Sequence, residues 1–327
     1  MADHTSIEWT DATWNIITGC SVLTPGCTNC YAMRLAGTRL ANHPSRKGLT
    51  RAAKAGPVWT GEVRFNAPWL LQPLQWKRPR RIFVCAHGDM FHEDVPDEWI
   101  DRIFAVMALA PQHTFQVLTK RSARMRAYFR GGWGWRVMEA KKPMDPEHRP
   151  GRGGLLSTAG GALENVWLGV SVEDQKRADE RIPDLLATPA AVRWISAEPL
   201  LGPLDIRKYI WPVHGWWRPP HRSYAEAKAA GAECGLRRQA LVHADSRFLD
   251  WVVPGGESGP DARPIHPDWV RSLRDQCTAA GVPFLFKQWG EYGPNVLGVN
   301  DSEPLTRLGK KAAGRLLDGR TWDEMPA

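Results

Sequence analysis

Short runs of β-branched and aromatic residues recur along the chain, and most are followed by a polar or glycine-bearing turn and then by helical periodicity. Eight runs read as strands: Thr13 to Thr18, Glu62 to Asn66, Arg81 to Ala86, Thr114 to Thr119, Val166 to Val172, Val192 to Ala197, Leu249 to Val253 and Pro283 to Lys287. Between them, Pro96 to Ala110 opens with proline and acids and sets Trp99, Ile103, Phe104 and Met107 on one face, the pattern of an amphipathic helix. Glu173 to Ala187 and His266 to Ala280 follow the same pattern. Strands alternating with helices predict parallel β/α units. Eight such units predict an α/β fold of the (β/α)8 TIM-barrel type, with a six-unit partial barrel or a doubly wound sheet as the alternative.

A single domain spans 1–327, and two stretches interrupt the alternation. Residues 121–152 carry nine bases against three acids and include Gly131 to Trp135, a Gly-Gly-Trp-Gly-Trp run; residues 205–248 are rich in Trp, Arg and Pro. Both follow strand candidates and read as basic, aromatic insertions on the face where barrels keep their sites. Residues 291–327 read as a C-terminal extension packed on the barrel.

The chain has 327 residues with 43% hydrophobic and 24% charged, which excludes disorder and collagen-like repeats. It has no apolar run of membrane-spanning length, and its first residues lack the basic-then-apolar order of a signal peptide, so a cytoplasmic setting is expected. Net charge is +8, and the charge is segregated: between Ala12 and Gly88 the single acid Glu62 faces eleven bases, among them Arg46, Lys47 and Arg51. That distribution predicts a polyanion-facing surface, the other reading being a solvated basic face. Seventeen Trp residues supply rigid area for a core or for stacking on bases. Lys120, Arg121, Arg124 and Arg126 with Trp133, Trp135, Trp216 and Trp217 sit among Arg, Gly and Pro, and with Arg46, Lys47 and Arg51 they are the nucleic-acid-binding candidates.

Cys20, Cys27 and Cys30 lie within eleven residues, spaced C-x6-C-x2-C, directly after the first strand candidate. In a reducing compartment such a cluster predicts metal or redox chemistry rather than a disulfide framework. A structural zinc site takes four protein ligands, whereas three thiolates suit a [4Fe-4S] cluster with one iron open. A zinc site and plain buried thiols are the alternatives.

The stretches Ile7 to Asn15, Thr18-Gly19-Cys20 and Pro25 to Ala32 resemble the three-Cys-motif proteins found in phages and bacterial genomes. The resemblance continues through Gly169 to Glu173, Ser196 to Leu200, Gly255 to Gly259, Phe286 to Gly290 and Leu317 to Glu324. That family is similar to the radical S-adenosylmethionine enzymes, and in plan to spore photoproduct lyase, which reverses a UV lesion in DNA. The resemblance implies a cluster held by Cys20, Cys27 and Cys30, S-adenosylmethionine as a second cofactor, and Gly255, Gly256 and Glu257 holding its amine. Two departures are visible: the superfamily spacing is C-x3-C-x2-C with an aromatic before the last Cys, whereas Asn29 precedes Cys30 here and Tyr31 follows it; and the Gly-Gly-Glu stands after the seventh strand candidate rather than the second.

Polar residues at the carboxyl ends of the expected strands would line one cavity beside the cluster. Glu198, Glu257, His87, Asp89 and Lys287 are the catalytic candidates; Ser171, Ser196 and Tyr31 join Gly255, Gly256 and Glu257 as cofactor-binding candidates. These features together predict a cluster-dependent enzyme acting on nucleic acid, DNA before RNA, by repair of UV photoproducts or by base modification, with a ferredoxin or flavodoxin as electron donor. The alternatives are a non-catalytic nucleic-acid-binding protein with a structural cluster, and a radical enzyme acting on a peptide or small molecule.

Overall fold

The computed structural model describes residues 5–145, 161–210, 248–294 and 305–326. Six strands form one parallel sheet in sequence order: β1 (Ala12–Trp14), β2 (Arg81–Val84), β3 (Thr114–Thr119), β4 (Val166–Ser171), β5 (Val192–Ala197) and β6 (Trp251–Pro254). Pairings such as Thr13 with Phe83, Val84 with Val117, Val117 with Leu168, and Ser171 with Ser196 keep the strands side by side, so their carboxyl ends share one edge. Among the described residues no pairing returns from the last strand to β1, and the sheet is open rather than a closed eight-stranded barrel.

Two of the eight expected strands take other places. In the run from Glu62 to Asn66, only Arg64–Phe65 is extended, and it pairs antiparallel with Ile17–Thr18 outside the main sheet. The Asn66 side chain is taken up by the carbonyls of Asn15 and Ile16, and Pro68 follows, so the run ends after two residues. Residues 283–288 follow β6 through backbone hydrogen bonds from Val252 to Pro283, Leu285 to Val252, Lys287 to Pro254 and Gly256 to Gln288. On their other side the C-terminal segment docks: Leu285 bridges Asp323, and the Trp251 indole donates to the Glu324 carbonyl.

The longer helices are α1 (Tyr31–Gly37), α2 (Asp97–Leu109), α3 (Ser122–Arg130), α4 (Trp133–Lys141), α5 (Gln175–Leu186) and α6 (Pro267–Ala280). Period and caps explain their bounds. Asp174 caps α5 by accepting from the Arg177 amide, and α6 starts on Pro267 and ends at Gly281, whose φ of +68° is the left-handed geometry that stops a helix. Helices α2 to α6 pack on the sheet face carrying Ile82, Val84, Phe115, Val117, Leu168, Val170 and Ile195. The opposite face is filled by Trp9, Phe83, Trp194, Trp251, Val253 and Leu285. Much of the tryptophan therefore serves packing; Trp9, Trp14, Trp194 and Trp251 are fully buried.

The expected insertion from Arg121 is helical where it is described, because α3 and α4 put Met125, Tyr128, Phe129, Trp133 and Val137 into the core. The remainder of that insertion, 146–152, and most of the second, 211–247, lie outside the described residues. The extension enters the fold through Trp322, Glu324 and Met325. No helix among the described residues is long and apolar enough to cross a membrane.

Candidate functional site

The chain leaves β1, turns at Gly19, and enters the cysteine loop at the carboxyl edge of the sheet. Gly19 has φ of +94° and a Cβ there would sit 2.1 Å from the Glu62 carbonyl oxygen, so only glycine fits. Pro25–Cys27 forms a turn of 3-10 helix, and Cys30 is the residue that opens α1. All three loop cysteines are free thiols, partly recessed from solvent.

Residues from three strand ends fasten this loop, and one from a fourth holds Arg121 in place. After β3, Arg121 donates to Cys20 Sγ at 3.6 Å and to Ser21 Oγ at 2.7 Å. After β4, Glu173 is fully buried, accepts from the Thr24 hydroxyl and pairs with Arg181 at 2.9 Å. A Cβ on Gly26 would press to 3.0 Å against the Glu173 carboxyl carbon, so the loop lies on this ion pair. After β6, Glu257 accepts from Asn29 Nδ2 at 2.9 Å and from both the backbone and the guanidinium of Arg263, which in turn donates to the Pro25 carbonyl. Asp89, after β2, accepts from Thr119, from the amides of Lys120 and Phe91, and from Arg121.

These contacts correct three expected roles. Glu257 does not present a free carboxylate to an amine, because Arg263 and Asn29 occupy its oxygens. Asp89 is buried and satisfied by the protein. Arg121 is not a phosphate-gripping surface residue; its side chain is 3% exposed and paired with Asp89 and Glu93. The physical reason is common to all three: a charge carried to a strand end and buried there must be neutralised, and the nearest partners belong to the chain itself.

Burial pushes the Cys20 thiol up to about 12, with Asp89 adding to it and Arg121 opposing. Cys30 is likewise raised by burial, against the amides of Met33 and Ala32 and the charge of Lys120. Cys20, Cys27 and Cys30 are close enough that a negative charge on one opposes ionisation of another. Among the described residues no three His, Cys, Asp or Glu side chains converge closely enough to share one metal ion. Burial would also raise Glu173, but Arg181 and Lys120 outweigh it and hold the carboxyl below its usual range. The Lys120 ammonium makes no ion pair among the described residues.

Tyr31 reaches inward to donate to the Ala86 carbonyl at 2.6 Å, and its ring meets His87 edge to face. Burial raises this phenol, and the charges of Cys30 and Glu198 add to the effect, which places all three groups around one region. His87 Nδ1 accepts from Arg46 Nε at 3.2 Å, and burial together with Arg46 and Arg39 lowers His87 to about 4. It is a neutral acceptor at neutral pH. Glu198 pairs with Lys287 at 2.8 Å and accepts from Ser196 at 3.2 Å, so these three expected residues do meet. A Cβ on Gly255 would lie 2.6 Å from Glu198 Oε1 and one on Gly256 1.9 Å from the Trp289 carbonyl oxygen, so both glycines are spent on close packing. Ser171 is buried beside Arg181, which donates to its carbonyl.

The nucleic-acid candidates divide. Arg46 is buried on His87 and Ser45, and Trp133 is buried among Phe104, Tyr128 and Phe129; both are corrections, since packing claims their apolar or charged area. Arg124 pairs with Asp97 and Arg126 with Asp184. Trp135 is 67% exposed with Lys142 over its ring. Lys47 and Arg51 are exposed, and with Arg39 and Lys54, also exposed, they make no ion pair among the described residues. Arg51 and Lys54 lie on or beside the hairpin Thr50–Ala53 and Gly56–Trp59, which packs on α1. A cleft of about 250 Å³ lies between this hairpin, Cys30, Arg34 and Asp261. Trp216 and Trp217 lie outside the described residues.

Sequence reasoning passed over Asn29, Thr24, Arg181, Arg263 and His92. Arg181 had a signal: it stands on the apolar face of α5 with Ala178, Ile182 and Leu185, where a cation demands a buried anion. Buried His92 sits 3.0 Å from Ser21 Oγ beside Cys20, and nothing in its spacing marked it.

Residues 4–326 match the model of a family described as a protein of unknown function (DUF5131). No curated protein and no solved structure matches the chain.

Proposed function

The chain belongs to the DUF5131 family, and for it we propose a cluster-dependent enzyme acting on nucleic acid, with Cys20, Cys27 and Cys30 holding a [4Fe-4S] cluster. One observation carries the reading: three recessed thiols stand at the carboxyl edge of a parallel sheet, and two of them, Cys20 and Cys30, which pack beside the apolar cluster of α1 and the hairpin, also meet donors and cations. Cys20 meets Arg121, and Cys30 meets two helix amides and Lys120. Thiolates on an iron-sulfur cube need that environment, because cube and ligands together are anionic and hydrogen bonds to sulfur stabilise them.

The cluster, when bound, supplies electrons one at a time. The chain does the rest. Lys120 and the Lys287–Glu198 pair set charge at the mouth, Tyr31 and neutral His87 line it, and the exposed cations Arg39, Lys47, Arg51 and Lys54 attract a polyanion toward it. Repair of UV photoproducts in DNA is the concrete version and base modification uses the same parts; a cytoplasmic, reducing setting and a small electron-carrier protein such as a ferredoxin or flavodoxin suit both. Residues 283–288 beside β6, with helices α2 to α6 on one face, support reading the sheet as a partial β/α barrel. S-adenosylmethionine does not fit at Gly255, Gly256 and Glu257, whose space and charge are taken by Glu198, Trp289, Asn29 and Arg263.

That engagement of Glu173 and Glu257 by the loop favours a second reading, in which the cluster only staples the fold. Anaerobic reconstitution with ferrous iron and sulfide tests the first step: about four irons and four sulfides per chain are expected, and uptake of zinc alone with no sulfide overturns it. Reversible one-electron reduction together with salt-sensitive binding of UV-irradiated or undamaged DNA supports the enzyme. A cluster that resists reduction, or no affinity for any nucleic acid, overturns it.

A further inference from the structure

We propose that the cleft between α1, the hairpin and the loop after β6 seats one unpaired base of a single-stranded or locally opened nucleic acid. The inference rests on the nucleic-acid half of the reading above and does not depend on the cluster. Met33, Pro57 and Pro260 give the cleft apolar walls, and Arg34, Thr38 and Asp261 give it polar ones. At about 250 Å³ it is smaller than the roughly 300–1,000 Å³ that drug-sized ligands fill, and it suits a single planar ring system. The walls stand without anything between them. A Cβ on Gly37 would lie 2.1 Å from Pro57 Cβ, so the hairpin is locked on α1, and Val58 and Trp59 pack with Ala32, Met33 and Ala36. The loop after β6 is tied down by Arg34 Nη2 on Asp261 Oδ2 at 3.0 Å, by Asn29 Nδ2 on the Asp261 carbonyl at 2.6 Å and by Arg307 on the Pro260 carbonyl at 2.8 Å. A preformed cleft spares its ligand the cost of ordering it.

Charge decides which part of a polyanion enters. The Asp261 side chain is 66% exposed, and its Oδ1 accepts no hydrogen bond among the described residues, just as Arg34 Nε and Nη1 donate none. A carboxylate repels a phosphate. A donor and an acceptor side by side instead match the Watson–Crick edge of a base, which carries both. The unpaired cations stand outside: Thr38 and Ala55 line the cleft, and their chain neighbours Arg39 and Lys54 are exposed and make no ion pair among the described residues. The base therefore goes in and its phosphates stay on the rim. Inside a duplex that edge is already taken by the pairing partner, so the strand has to be single or opened at this nucleotide. Cys30 lines the same cleft, and a base seated there stands at the cysteine loop.

Fluorescence anisotropy with one labelled DNA oligonucleotide, single-stranded and as its duplex, tests this on full-length wild type, Asp261→Ala and Ala55→Leu. Phosphate attraction alone favours the duplex, whose charge is denser. Wild type is expected to bind the single strand about tenfold more tightly than the duplex, the equivalent of one hydrogen bond to a charged group. Asp261→Ala removes an anion beside cations, so phosphate attraction alone predicts tighter binding of both probes. Seating of a base predicts about tenfold weaker binding of the single strand and no loss with the duplex. Ala55→Leu, a larger side chain on the cleft wall, is expected to weaken the single strand at unchanged duplex affinity. Single-strand affinity that holds or rises in Asp261→Ala, or a wild-type preference for the duplex, overturns the inference and leaves the nucleic-acid reading standing; absence of binding to either probe overturns both. Both substituted positions are exposed, and should Asp261→Ala not fold, unchanged single-strand affinity in Ala55→Leu overturns the inference by itself.

Discussion

Asn29 donates its side-chain amide to Glu257 Oε2 at 2.9 Å, a bond between residues 228 positions apart in the chain. Asn29 stands between Cys27 and Cys30, and the same Glu257 oxygen accepts from the amide and guanidinium of Arg263. The carboxyl edge of β6 therefore grips the cysteine loop at its second pair of thiols, as Glu173 after β4 grips it at Thr24.

Glu257→Ala should loosen that grip. It removes the carboxylate that Arg263 and Asn29 share, leaving them the carbonyls of Pro25 and Asp261, and because the Arg263 side chain is 34% exposed, water recovers part of the loss. A destabilisation of about 1–3 kcal/mol is expected from urea unfolding, with Asn29→Ala costing less than Glu257→Ala. Loss of iron to a chelator should speed up in both variants. Unchanged unfolding and unchanged iron retention in Glu257→Ala would show that the clamp does not hold the loop.

The basic surface gives a prediction with an internal control. Lys47, Arg51 and Lys54 are exposed and unpaired by any described acid, whereas Arg46 is buried on His87. Reversing the three exposed cations to Glu should weaken DNA binding and flatten its salt dependence by roughly 0.7–0.9 in slope for each phosphate that is no longer neutralised. Arg46→Met should leave that slope as it was, whatever it does to stability. Fluorescence anisotropy across salt concentrations separates the two; equal slopes in the triple variant and wild type would place the nucleic acid elsewhere.

Much of the fold was legible because periodicity reports burial. Helices expected at 96–110, 173–187 and 266–280 appear as Asp97–Leu109, Gln175–Leu186 and Pro267–Ala280, and six strand runs enter the sheet in order. At the carboxyl edge of the sheet, single polar residues were legible and their partners were not. Strand-end residues such as Glu198, Glu257, Asp89 and His87 were found because polar groups there stand out against apolar strands. Their partners were not, because Arg263, Asn29 and Thr24 sit in irregular loops where spacing carries no period, and only the folded chain brings Asn29 to Glu257. Trp133 and Arg46 were misplaced for a related reason: an aromatic or a cation in a Gly- or Pro-rich stretch has the same local pattern whether it is packed or exposed.

His87 predicts an acid-labile contribution to stability. Its folded-state value is lowered to about 4 from an ordinary value near 6.5, by burial first and then by Arg46 and Arg39. The unfolded chain therefore takes the proton first as pH falls, and the contribution present above about 6.5 is lost on the way down to about 4. The whole contribution is on the order of 3 kcal/mol. Stability from chemical denaturation at stepped pH should fall through this window in wild type and more shallowly in His87→Asn. Parallel curves for the two proteins would mean that His87 titrates normally in the fold.

Loading of the cysteine loop should depend steeply on pH, in the alkaline direction. Burial holds Cys20 up to about 12 and raises Cys30 as well, so both are neutral thiols at pH 7. Iron binds thiolate, and each ligand must give up its proton on binding, so the apparent affinity for ferrous iron should rise by up to about tenfold per pH unit for each proton released. Competition with a chelator between pH 6.5 and 8.5, with the chelator's own protonation accounted for, is expected to show at least two protons released. Cys85 is also raised to about 12 by burial but lies in the core behind the loop, so Cys85→Ala should leave the pH dependence unchanged. A pH-independent affinity in wild type would mean that the thiols are already ionised, and that Lys120, Arg121 and the helix amides outweigh burial at this edge of the sheet.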